Sequence, residues 1–148
     1  MKKLLFIFIL FITSCGYQPI YISQNQDDFI FKKITLSGER QTNKTIINAL
    51  AIKEKSTLNS NKELFLQADL KVEKTSKNSK GQITSYRSTV TVNLAIKEDN
   101  QTIKDKKFIQ SFTYNNLDNK FDLTEYQNEI KKDIINKIIE EIIIYMNL

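Results

Sequence analysis

Residues 86–97 alternate without a break. Tyr86, Ser88, Val90, Val92, Leu94 and Ile96 fall on one side, and Arg87, Thr89, Thr91, Asn93, Ala95 and Lys97 on the other. A period of two is the mark of a β-strand with one face against a core and the other against something wetter. Such a strand needs paired neighbours and a cover for its apolar face, so the chain must contain a sheet with something packed on one side of it.

The flanking sequence provides both. Before this run, Leu64, Leu66, Ala68, Leu70 and Val72 alternate with Phe65, Gln67, Asp69, Lys71 and Glu73. After it, a run ends in Phe108, Gln110, Phe112 and Tyr114. The connections at residues 76–81 (SKNSKG) and 98–101 (EDNQ) are short and rich in turn formers, which predicts an antiparallel meander. Upstream, residues 29–36 read as a further strand, with Ile30, Ile34 and Leu36 on one face, stopped by Ser37 and Gly38. Residues 43–55 read as a short helix carrying Ile46, Ile47, Leu50 and Ala51 at helical spacing, with Asn43 as its cap; residues 56–61 are a loop.

The C-terminus is written as a long helix. Asp122 is a candidate N-cap with Glu125 three residues on, and Phe121 and Tyr126 occupy the positions of a hydrophobic staple. An apolar stripe runs through Tyr126, Ile130, Ile134, Ile138, Ile142 and Met146, with Ile135, Ile139 and Ile143 beside it. About 25 residues give a rod of roughly 37 Å. Charges interrupt it, so it is expected to lie along the sheet rather than span a bilayer; a membrane-surface or partner-binding helix is the alternative. The expected fold is α+β: a four-stranded, mostly antiparallel sheet with two helices packed on one face, in the order β-α-β-β-β-α.

The first residues address location. Lys2 and Lys3 precede the apolar stretch 4–12 (LLFIFILFI), which falls short of the about 20 residues a bilayer requires and has the length of a signal-peptide core. Ile12-Thr13-Ser14-Cys15 follows, resembling a bacterial lipobox. Small residues admit a signal peptidase to the bond before Cys15; the thiol takes a diacylglyceryl group and the freed amine is acylated. One acyl chain binds a membrane marginally, and two or more anchor it stably. The organisation expected is a lipoprotein signal peptide over 1–14, a lipidated tether over 15–28 and one α+β domain over 29–148. Gly16, where Asp would direct retention in the inner membrane, favours the outer membrane with the domain facing the periplasm.

Much chemistry is excluded. The chain has no His and one Cys, so an internal disulfide, a His/Cys metal centre and a Ser-His-Asp or Cys-His catalytic unit cannot be built. The carboxylate pairs Asp27/Asp28 and Glu140/Glu141 are sequence neighbours whose side chains diverge. Ser76-Lys77 and Ser79-Lys80 lie in a turn. No catalytic residue, metal or cofactor is expected. The net charge of +5 comes mostly from Lys, with acids and bases interspersed, so no nucleic-acid partner is expected.

The opening of the lipidated chain, Cys15-Gly16-Tyr17-Gln18-Pro19-Ile20-Tyr21, resembles the C-G-aromatic-x-P-aliphatic-Y start of LptE lipoproteins, which serve lipopolysaccharide assembly in the outer membrane. The strand Tyr86-Arg87-Ser88-Thr89-Val90-Thr91-Val92, the long last helix and the element order are similar too. The resemblance implies a non-enzymatic plug inside the large β-barrel LptD, supporting its assembly and the delivery of lipopolysaccharide to the cell surface. It implies lipopolysaccharide as a further ligand, whose phosphates suit Arg and Lys donors. Arg87 is the first candidate contact, with Lys97 on the same strand face and Lys71 on the neighbouring strand. The rival reading is a generic outer-membrane lipoprotein that binds another envelope protein or peptidoglycan.

Overall fold

The computed structural model describes residues 29–56 and 61–146. The signal peptide, Cys15 and the tether lie outside the described residues. The described chain runs β1 (Ile30–Phe31), β2 (Lys33–Gly38), α1 (Arg40–Ala49), β3 (Lys53–Glu54), β4 (Lys62–Lys77), β5 (Ile83–Glu98), β6 (Gln101–Asn115) and α2 (Lys120–Met146). The main sheet has the order β2-β4-β5-β6. β2 pairs parallel with β4, while β4–β5 and β5–β6 are antiparallel. The fold is the expected α+β arrangement.

The alternation in β5 fixes the layers. Val90, Val92 and Leu94 are fully buried, while Arg87 is exposed. Their partners in register continue the buried side: Leu64, Leu66 and Ala68 on β4, Phe108 on β6. Both helices pack on that side. Ile46 of α1 and Ile138 and Ile142 of α2 lose all exposure in the same core. Of the stripe read from the sequence, Ile130, Ile134, Ile135, Ile138, Ile139 and Ile142 are buried, joined by Leu123, while Tyr126, Ile143 and Met146 are half-buried against the core. At one end, Tyr114 stacks on Tyr86 (centroids 5.9 Å) and meets Tyr126 edge-on (5.8 Å), and its hydroxyl lies 3.2 Å from Ser88 Oγ. At the other, Lys104 Nζ donates to the carbonyls of Tyr145 and Met146, both at 3.1 Å, supplying donors to the last turn of α2.

The β5–β6 turn lies where it was expected. Asp99 and Asn100 both have positive φ (47° and 65°), the geometry of a two-residue hairpin turn. The β4–β5 connection is residues 78–82: β4 runs two residues into the patch read as a turn, and Asn78 Oδ1 organises the bend by accepting from the Lys80 and Gln82 amides. The first strand divides into β1 and β2. β1 pairs with β3, a two-stranded sheet the sequence reading did not contain.

Two helix starts are corrected. α1 begins at Arg40, not Asn43. Its cap is Glu39, whose carboxylate accepts from the Gln41 and Thr42 amides at 3.3 and 2.6 Å. Asn43 is buried and donates instead to the Ser37 carbonyl, tying α1 to β2. α1 also ends six residues earlier than expected, at Ala49. Ala51 is left-handed (φ 51°), and the amides of Ala51 and Ile52 return to the carbonyls of Asn48 and Ile47, a complete Schellman closure without glycine. α2 begins at Lys120, with Asn119 Oδ1 accepting from the Phe121 amide. Asp122 is therefore inside the helix, and Phe121, 75% exposed, makes no staple.

Glu39 carries a pH dependence. Burial raises its pKa, but the hydrogen bonds from Thr42 and Gln41 and the Lys131 ammonium 3.5 Å away outweigh it, and the carboxyl sits below its ordinary value. A lowered folded pKa stabilises above the unfolded value of about 4.3, and that contribution is lost as pH falls through the folded pKa. Glu39→Ala is expected to cost about 1 kcal/mol at pH 7, with a smaller deficit at pH 3. Urea denaturation at the two pH values checks this, and an equal deficit at both contradicts it.

Candidate functional site

Among the described residues, nothing covers the sheet face opposite the helices. Its side chains form rows across the strands, set by the register: Glu73–Arg87–Thr113, Lys71–Thr89–Ser111, Asp69–Thr91–Ile109 and Gln67–Asn93–Lys107. β5 supplies the centre of each row, so Thr89, Thr91 and Asn93 are half-buried between their neighbours. The surface is dominated by hydroxyls, amides and charges of both signs. This follows from the period-two pattern: residues of one parity feed the core and those of the other parity build this face.

All three candidate residues sit on this face, but not together. Arg87 is exposed, and its Nε donates to Thr113 Oγ1 at 3.1 Å. That bond ties the guanidinium to β6 through Nε, not through its terminal nitrogens. Lys71 lies two residues along β4 from Glu73, the register partner of Arg87, and pairs with Glu73 at 2.8 Å. Their side chains are 70% and 47% exposed, so water screens the pair and it contributes little to stability. Lys97 is ten positions from Arg87, about 33 Å along the strand. Its ammonium lies over the Phe65 ring, 4.7 Å from the centroid. Arg87 and Lys71 thus share one end of the face, and Lys97 lies at the other, in register with Glu63.

Sequence reading missed a second feature, on the helix side. A groove of about 360 Å³ runs between β6 and α2, lined by Gln110, Phe112, Tyr126, Ile130, Asp133 and Lys137 among others. Among the described residues, no cluster of three or more His, Cys, Asp or Glu side chains is arranged to hold a metal ion. No described helix is long and apolar enough to cross a membrane.

No protein-family model matches the sequence, and no curated protein matches it either. The fold has solved counterparts. It is similar to rare lipoprotein B from Shewanella oneidensis, with a TM-score of 0.60 at 14% identity over 78% of this chain and 93% of that one. It is similar to lipoprotein B from Nitrosomonas europaea, with a TM-score of 0.56 at 12% identity over 76% and 79%. A minor lipoprotein from Acinetobacter baumannii aligns with a TM-score of 0.50 at 15% identity over 76% and 87%. The chain has the fold of these bacterial lipoproteins across nearly its whole described length.

Proposed function

We propose that this protein is an outer-membrane lipoprotein of the LptE type, anchored through Cys15, that plugs an LptD-like β-barrel and supports its assembly for lipopolysaccharide delivery. The observation that carries the reading is the bare sheet face. A sheet buried by helices on one side only, with rows of Thr, Ser, Asn and mixed charges on the other, is a rigid wedge with a wet surface. The lumen of a large outer-membrane barrel is polar and takes such a surface without a desolvated charge. The likeness to lipoprotein structures and the Cys15–Tyr21 opening support the same reading.

The role is structural and not catalytic. Arg87, with Lys71 beside it, is the proposed contact for lipopolysaccharide phosphate, because its free guanidinium nitrogens suit a planar two-oxygen acceptor. Lys97, far along the strand, is assigned to the barrel wall instead. The test is photo-crosslinking in producing cells from Arg87, Thr91 and Lys97. Adducts to a large outer-membrane β-barrel are expected. Adducts to soluble periplasmic proteins or peptidoglycan alone would leave the generic lipoprotein reading.

A further inference from the structure

The two cations proposed for phosphate are held in different ways. Lys71 is drawn along its own strand to Glu73, at 2.8 Å. Arg87 is drawn across to β6, where its Nε donates to Thr113 Oγ1 at 3.1 Å. Glu73 and Arg87 are register partners on β4 and β5, yet the ion-pair partner of Glu73 among the described residues is Lys71 and not Arg87. A second carboxylate, Asp69, flanks Lys71 from the other side on the same face. It accepts from Gln67 Nε2 at 3.2 Å instead. Lys71 therefore has a carboxylate two residues away in each direction and is paired with one of them.

Lys71 faces Thr89 in register, and Arg87 is two residues from Thr89 on the same face. Such diagonal neighbours on adjacent strands have Cα atoms about 7–8 Å apart. Both side chains are long, so an ammonium and a guanidinium can converge on one phosphate group. The pairing with Glu73 holds Lys71 back from that arrangement. The pair is screened by water, since its side chains are 70% and 47% exposed, and it opens easily.

A pair of this kind is a competitor and not a brace. A phosphate that reaches Arg87 gains the ammonium of Lys71 by taking it from Glu73, and on release Glu73 takes it back. Neither state leaves the ammonium without an anion. The exchange lowers affinity by the strength of the pair and shortens the stay of the ligand. That suits a site that passes a lipid on, where binding must be strong enough to capture and weak enough to release.

We infer, on the assignment of Arg87 and Lys71 to phosphate proposed above, that Glu73 is an internal stand-in for the phosphate of the lipid, exchanging Lys71 with it and so setting how tightly and how long the site holds its ligand.

The test is titration of the full chain, purified in a neutral detergent, with short-chain phosphatidic acid, followed by dilution to read release. Glu73→Gln should bind about threefold tighter and release correspondingly more slowly. Asp69→Asn removes the same charge from the same face and should change little, because Asp69 is not the partner of Lys71. In a Lys71→Gln background, Glu73→Gln should have almost no effect, a double-mutant cycle that separates exchange from the general field of a carboxylate. Arg87→Gln should weaken binding about tenfold. Inorganic phosphate should rank the variants in the same order at lower affinity, because the exchange is made with the phosphate group. Circular dichroism of each variant identifies any that fails to fold. If Arg87→Gln leaves the titration unchanged, the phosphate assignment fails and the role of Glu73 with it. If Arg87→Gln weakens binding, three results overturn the role of Glu73 alone: no tightening by Glu73→Gln, equal tightening by Asp69→Asn or without Lys71, or a different order with inorganic phosphate.

Discussion

Gly38→Ala is expected to cost about 3 kcal/mol or more, a large share of a domain's typical 5–15 kcal/mol. Two penalties combine there. Gly38 has φ +77°, where a residue with a Cβ is strained. A Cβ at this position would also lie 2.2 Å from the carbonyl oxygen of Ala68, and a backbone atom cannot step aside cheaply. That oxygen accepts from the Glu39 amide at 2.6 Å, so moving it disturbs the cap of α1 as well as the β2–β4 pairing. Gly81 is the matched control. Its φ is +78°, yet a Cβ there meets nothing within 4 Å. Gly81→Ala should therefore show the conformational cost alone, about 1 kcal/mol. Urea denaturation of the two variants separates steric from torsional cost, and equal losses would contradict the account.

The second large effect concerns Cys15. The chain has one thiol, so no other residue can form the thioether of a lipoprotein anchor. In cells fed labelled palmitate, wild type should take up label and shorten by its first fourteen residues. Cys15→Ser should show neither. The difference is all-or-none, because stable anchoring needs at least two acyl chains and the variant receives none. Label retained on Cys15→Ser would contradict the assignment of the anchor.

The central sheet was legible because its strands bury one face. Val90, Val92 and Leu94 occupy one parity of β5 and carry the core, so period alone gave the strand, its face and the cover it needed. The stripe of α2 was legible for the same reason at a period of 3.6. The helix ends were not. Asn43 is a better cap by residue type than Glu39, yet the turn at Gly38 sets the start of α1, and Asn43 serves β2 instead. At the other end, Ala51 takes the left-handed position that glycine usually marks, so nothing in the sequence announced the stop. Asn119 pre-empts Asp122 because α2 starts a turn earlier, where Tyr126 is needed against Tyr114 rather than against Phe121. The bare face was legible by parity, and Arg87 and Lys71 lie there on neighbouring strands. The distance of Lys97 follows from strand length, which the sequence also contained. The β6 groove was not legible, since it depends on how far α2 sits from the sheet edge.

The central claim is that the bare face of the sheet meets the wall of a large β-barrel. A photo-crosslinker at Thr91, the middle of that face, tests it most directly when installed in the native host and followed by mass spectrometry of the adduct. The account predicts an adduct with a large outer-membrane β-barrel, joined by adducts from Arg87 and Lys97. Adducts confined to soluble periplasmic proteins or peptidoglycan, with the barrel still assembled after this protein is depleted, would contradict it.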